Sequence, residues 1–146
     1  MRFALPAHAH VPGANPRHAD DAFDALRRTA RPGLAAEVLA QSDAWRAGWE
    51  FLKGGFFWEA HEVWEPVWMA LPEASDERRM VRAAIQTANA ALKLEMDQPG
   101  AVLRLCAMVE DLLNGLEAGE VMQTDPQWLR DYVQSLRRRA NLRHRP

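Results

Sequence analysis

The residues best equipped for chemistry lie between Phe56 and Met69. This stretch holds three of the six tryptophans (Trp58, Trp64, Trp68), three carboxylates (Glu59, Glu62, Glu65) and His61. Imidazole with carboxylates suits zinc, iron or manganese, and a carboxylate-rich helical interior can hold metal. At about 100° per residue the stretch separates into faces. Phe56, Ala60, Val63, Val67 and Leu71 form an apolar stripe, widened by Phe57, Trp64 and Trp68. His61 and Glu65, four apart, adjoin on its flank, with Trp58 and Glu62 just beyond. Glu59 falls about 160° from His61, so a straight helix does not aim both at one ion. Pro66 removes one backbone donor inside the helix and is expected to kink it.

A second polar set lies on a helix expected over 76–96. Arg82, Gln86, Asn89 and Lys93 recur at i, i+4, i+7 and i+11, a stripe about 60° wide on an otherwise apolar circumference. A helix apolar nearly all round is central, so this stripe needs partners, and the carboxylates of 59–65 have the matching chemistry. Two function classes follow. In the first the protein is a helical protein whose Glu/His/Trp-rich central helix serves as a structural polar layer or a small ligand cleft. The carboxylates then pair with Arg82 and Lys93, and His61 bonds Glu65 or a carbonyl. In the second it is a metal-dependent hydrolase, with His61 and Glu65 as ligands. Glu59 and Glu62 are the candidate catalytic carboxylates, and Trp58, Trp68, Gln86 and Lys93 the candidate ligand-binding groups. Against the second stands the absence of His-Glu-x-x-His or Glu-x-x-His spacing in the segment. No resident cofactor is expected, a divalent metal being the open alternative.

The elements that must position these groups are helical. Five helices are expected, over 35–53, 56–71, 76–96, 99–117 and 126–140, packed as a compact all-α bundle. Ser42, Ser75 and Asp125 suit N-caps, with a break at Ser42-Asp43 allowed, and Pro99 and Pro126 suit first helical positions. Gly54-Gly55 and Pro72 suit stops. Residues 1–33, interrupted by Pro6, Pro12, Gly13, Pro16, Pro32 and Gly33, read as an irregular leader packing on a single helical domain over 34–146, with one short helix within 20–30. His8, His10 and His18 are expected exposed there, Cys106 inert in the core, and Arg137–Arg139 on a solvated face complementing a helix end.

The 146 residues suffice for one domain, and 18 Lys+Arg against 20 Asp+Glu give a net charge of -2. No global field favours nucleic acid or an anionic membrane. No apolar run approaches the ~18 residues of a membrane span. A single cysteine excludes an intrachain disulfide, and the amino-terminal residues lack the apolar core of a secretory signal. A cytoplasmic protein is the expectation, with a homo-oligomer and a small-molecule ligand as open partners.

The run Trp58-Glu59-Ala60-His61-Glu62-Val63-Trp64-Glu65, after Gly55-Phe56-Phe57 and before Trp68, resembles the signature of domain-of-unknown-function family 309. Arg82-Ala83-Ala84-Ile85-Gln86 through Lys93 is similar to the family's second signature, Gln-Gly-Leu-Ile-Gln before an Ala-rich stretch and Lys. The Gly100-Ala101 pair, Leu5-Pro6 and Val11–Pro16 also fit. The resemblance is concentrated in 45–105. It implies a small all-α bacterial protein, some members of the family bearing the label of predicted metal-dependent hydrolase. Arg82 stands where the family has Gln, and a fixed cation there competes with a metal ion.

Overall fold

Capping and chain-breaking residues set where the helices start and stop. A computed structural model describes residues 3–117 and 119–143. Its helices are α1 (Asp24–Arg27), α2 (Ala36–Leu39), α3 (Asp43–Lys53), α4 (Phe57–Ala70), α5 (Asp76–Glu95), α6 (Pro99–Asn114) and α7 (Pro126–Arg143). The described residues contain no strand, only an isolated bridge between Val121 and Thr124. Among the described residues the fold is all-α with seven helices: the five long ones expected, the short α1 within 20–30, and α2, which is the first part of the expected 35–53 helix split off from α3. The expected 35–53 helix is broken because the Ser42 hydroxyl accepts the Trp45 N–H at 3.2 Å and so opens a new helix. Ser75 caps α5 in the same way, accepting from Arg78 N–H at 3.1 Å. Asp125 accepts from Gln127 N–H at 2.9 Å ahead of α7, and Gly55, at φ 88°, takes the left-handed turn after α3.

α5 is the central helix. Met80, Val81, Ala83, Ala84, Ile85, Thr87, Ala88, Ala90, Ala91, Leu92 and Leu94 are all buried, and the helix packs on α4, α6 and α7. Its alanines let those neighbours approach closely, which is why a helix of modest mean hydropathy occupies the middle. Cys106 and Val109 on α6 and Val133 and Leu136 on α7 complete this side of the core. Burial disfavours the thiolate and pushes the Cys106 thiol up to about 11, against a lowering by Arg137 and a further rise from Glu110, so the thiol is inert as expected. Arg138 and Arg139 are exposed as expected, and Arg137 is partly so. It grips Glu110 through two 2.6 Å hydrogen bonds that tie α7 to α6.

A chain of indoles fixes α3 and α4 to the rest. Trp64 Nε1 donates to the Trp45 carbonyl at 3.0 Å, and Trp45 Nε1 donates to the Met122 carbonyl at 2.9 Å, both buried. Met122 and Gln123 take positive φ values of 54° and 55°, a turn that aims that carbonyl inward. Trp49 packs edge-on to Trp64 at 4.8 Å and to Trp128 at 5.6 Å. Gly48 sits against the Trp64 indole, and a Cβ there would fall within the ring. Gly48→Ala therefore overpacks the α3–α4 contact and is expected to cost ~1–3 kcal/mol. At about 2–4 °C per kcal/mol for a chain near this size, a thermal melt should show a fall of several degrees. An unchanged midpoint contradicts this account of the α3–α4 packing.

Candidate functional site

α4 is a helix with three uses. Ala60, Val63, Trp64 and Val67 face the core. The helical period puts His61, Glu65 and Trp68 within about 60° of one another on a second face, and Trp58, Glu62 and Glu59 on a third.

The third face is clasped by the leader. Glu59 is fully buried, at 0% exposure, and its Oε2 accepts the His10 backbone N–H at 2.7 Å and meets His18 Nε2 at 2.6 Å. Its Oε1 is buried without a partner among the described residues. Asn15 shapes the leader for this contact: its Oδ1 accepts Val11 N–H at 2.9 Å and its Nδ2 donates to the Ala9 carbonyl at 2.8 Å. The His10 ring meets Trp58 edge-on at 4.9 Å, and the His8 and His18 rings stack at 4.3 Å. Arg27 Nη2 reaches Glu62 at 2.7 Å. Two expectations are thereby corrected. His10 and His18 are not solvent-exposed, because an irregular backbone rich in turns can still present donors to a buried carboxylate. And Arg82 and Lys93 do not pair with the α4 carboxylates. Arg82 is exposed and Lys93 half-buried, and Glu59 and Glu62 take their partners from the leader.

Glu95, at the end of α5, senses the same cluster. Its carboxyl is held above the ordinary 4.5, first by partial burial and second by the nearby charge of Glu59.

The second face is open. His61, Glu65 and Trp68 of α4 and Arg82, Ile85, Gln86 and Asn89 of α5 line a cleft of about 360 Å³. His61 Nε2 lies 3.3 Å from Glu65 Oε2, and Asn89 Nδ2 donates to Gln86 Oε1 at 3.1 Å. The polar stripe of α5 thus meets α4 across a cavity rather than through ion pairs. Of the sequence candidates, the cleft brings together His61, Glu65, Trp68 and Gln86. Glu59, Glu62 and Trp58 lie on the leader side, and Lys93 lines neither. Among the described residues no three His, Cys, Asp or Glu side chains converge as a metal site requires, and His61 and Glu65 alone make an incomplete ligand set.

Residues 45–105 match a family model described as Domain of unknown function (DUF309). The match contains both signatures, spans all of α4 and α5, and leaves the whole leader outside it. Both sides of the cleft therefore lie within the matched residues, whereas His10, His18 and Arg27 do not. No curated protein and no solved structure matches the chain. No helix of the described residues is long and apolar enough to cross a membrane.

The leader contacts that sequence reasoning missed are His10, Asn15, His18 and Arg27. Three histidines in eleven residues were a visible signal, but nothing local paired them with Glu59. Glu59→Ala strands the buried His10 N–H and the His18 ring, and should cost ~1–3 kcal/mol or more. A cycle with His18→Ala should return a coupling of ~0.5–3 kcal/mol in thermal or urea melts. Additive single effects speak against the clasp.

Glu95 gives a pH dependence with a definite sign. A carboxyl whose folded pKa is raised is neutral in both states well below 4.5, and its penalty on the fold appears as pH climbs through the folded value. Glu95→Gln is expected to raise the melting temperature at about pH 7 and to leave it unchanged at about pH 3. The same gain at both values contradicts the electrostatic origin.

Proposed function

We propose that the protein binds a small molecule in the α4–α5 cleft, and that the Glu59 and Glu62 layer is structural, holding the leader in place. The observation that carries this is the division of α4. Glu59 and Glu62 are occupied by leader groups, while His61, Gln86 and Asn89 present side chains to a cavity of about 360 Å³. That volume falls within the range of small-ligand sites, roughly 300–1,000 Å³, and mixes apolar walls with a few hydrogen-bonding groups as such sites do. Trp68 and Ile85 supply the apolar walls; His61, Glu65, Gln86 and Asn89 supply donors and acceptors. Metal-dependent hydrolysis finds less support, because its ligands do not converge in threes among the described residues.

A fragment library screened by protein-observed NMR tests the cleft. Hits are expected to move the side-chain signals of His61, Gln86 and Asn89, and Gln86→Ala should weaken them without lowering the melting temperature. Fragments that settle elsewhere, or not at all, overturn the reading. So does stoichiometric zinc that raises the melting temperature of the wild type and fails to do so in His61→Ala, which favours the hydrolase.

A further inference from the structure

Trp68 and Arg82 line the cleft. Both residues also line a second cavity of about 200 Å³, with the cap residue Ser75, Arg78 and Arg79 on α5 and Leu112 on α6. Three of its lining residues are arginines. Arg78 is already fixed: its guanidinium stacks 4.0 Å over the Trp68 ring, and its Nε donates to the Trp68 carbonyl at 3.1 Å. Only 19% of its side chain is exposed. Its ion-pair partner among the described residues, Glu73, lies 3.6 Å away and is 91% exposed, so it neutralises little. Arg79 makes one long hydrogen bond among the described residues, 3.5 Å from Nη1 to the Leu112 carbonyl, and its guanidinium lies against Gly115. Arg82 has no hydrogen bond or ion pair among the described residues.

We infer, building on the ligand-cleft reading, that this cavity is the anion end of the site, and that the ligand is a small molecule with a phosphate or carboxylate head. Its head group meets Arg78, Arg79 and Arg82, and its body runs past Trp68 toward Gln86 and Asn89. Clustered guanidinium groups repel one another, and an oxyanion that accepts several of their N–H groups removes that penalty. Arg78 needs no reordering to bind, which lowers the entropic cost of the contact. The basic area is a spot rather than a stripe. Around the same end of α5, Asp76 and Glu77 join Glu37, Glu117 and Glu120 along an acidic cavity. A polyanion laid over this end would meet those carboxylates, so a compact anion fits where a nucleic acid does not.

The full chain is titrated with inorganic phosphate, acetate and glycerol 3-phosphate, ionic strength being held constant with sodium chloride. The NMR signals of the Arg78 Nε–H, the Trp68 indole and the side-chain amides of Gln86 and Asn89 are followed. Phosphate should shift Arg78 and Trp68 saturably, and acetate binding as tightly would assign a carboxylate head instead. The R79A/R82A double variant, which alters exposed side chains, should keep the wild-type melting temperature and lose affinity by about tenfold or more. Glycerol 3-phosphate should move the Gln86 and Asn89 amides as well. Shifts that grow linearly with every anion, or that persist unchanged in the double variant, overturn the anion site and leave the cleft reading standing. Saturable phosphate binding with Gln86 and Asn89 untouched by glycerol 3-phosphate upholds the anion site and overturns its continuity with the cleft.

Discussion

A carboxylate with no solvent contact, Glu59, constrains the arrangement of everything around α4. An unpaired buried charge costs several kcal/mol, a large share of the ~5–15 kcal/mol that holds a domain folded. The chain meets that demand with a backbone N–H and an imidazole brought from the leader, at 2.7 and 2.6 Å. This is why a segment with six helix-interrupting prolines and glycines is nonetheless ordered against the bundle. Asn15 turns it, Phe3 N–H reaches Glu50 at 3.2 Å, and Phe23 buries its ring beside Phe51 and Trp58. Ordering those residues is entropically expensive, and the apolar burial of Phe23 together with the two contacts to Glu59 Oε2 offsets it.

The indole chain imposes a second constraint in the same region. Because Trp64 donates to Trp45 and Trp45 donates to Met122, α4 has little freedom to roll about its axis. With the core face held by indoles and one flank held by the leader, only the flank bearing His61, Glu65 and Trp68 is left to face α5 across open space. The cleft is thus framed by two rigid contacts that use none of its own side chains. Such framing is what preorganised recognition needs, since wall residues then lose little freedom when a ligand arrives.

The long helices were legible because their signals are local. Ser42, Ser75 and Asp125 act within three residues of themselves, and the alanine-rich circumference of α5 declares a central helix. The break at Ser42 was visible as an option but not as a certainty, since apolar spacing ran across it. What local pattern could not supply was pairing at distance. The expected partners of the α4 carboxylates, Arg82 and Lys93, were the nearest cations on the neighbouring helix. The actual ones come from 49, 41 and 35 residues upstream. Only the three-dimensional path of the leader brings them there, and turn-rich sequence encodes that path too weakly to read. His61, Glu65 and Gln86 were identifiable as a polar meeting of two helices. That they meet across a cavity depends on side-chain volumes at Trp68, Ile85 and Asn89, which periodicity does not weigh.

The polar lining of that cavity is itself informative. Gln86 and Asn89 lie on the helix whose other faces are filled with Ala, Val, Ile and Leu, and they spend one hydrogen bond on each other. Leucine at either position would close the space, bury more apolar area and add ~1–3 kcal/mol by ordinary transfer estimates. The structural layer gains nothing from these amides, because Glu59 and Glu62 take their partners from the leader on the opposite flank. The half-buried amides therefore lower stability without a structural return. Groups kept at such a cost are characteristic of sites whose shape answers to a ligand rather than to folding. On that ground the open flank of α4, and not its buried carboxylate, is where the function of the protein is best sought.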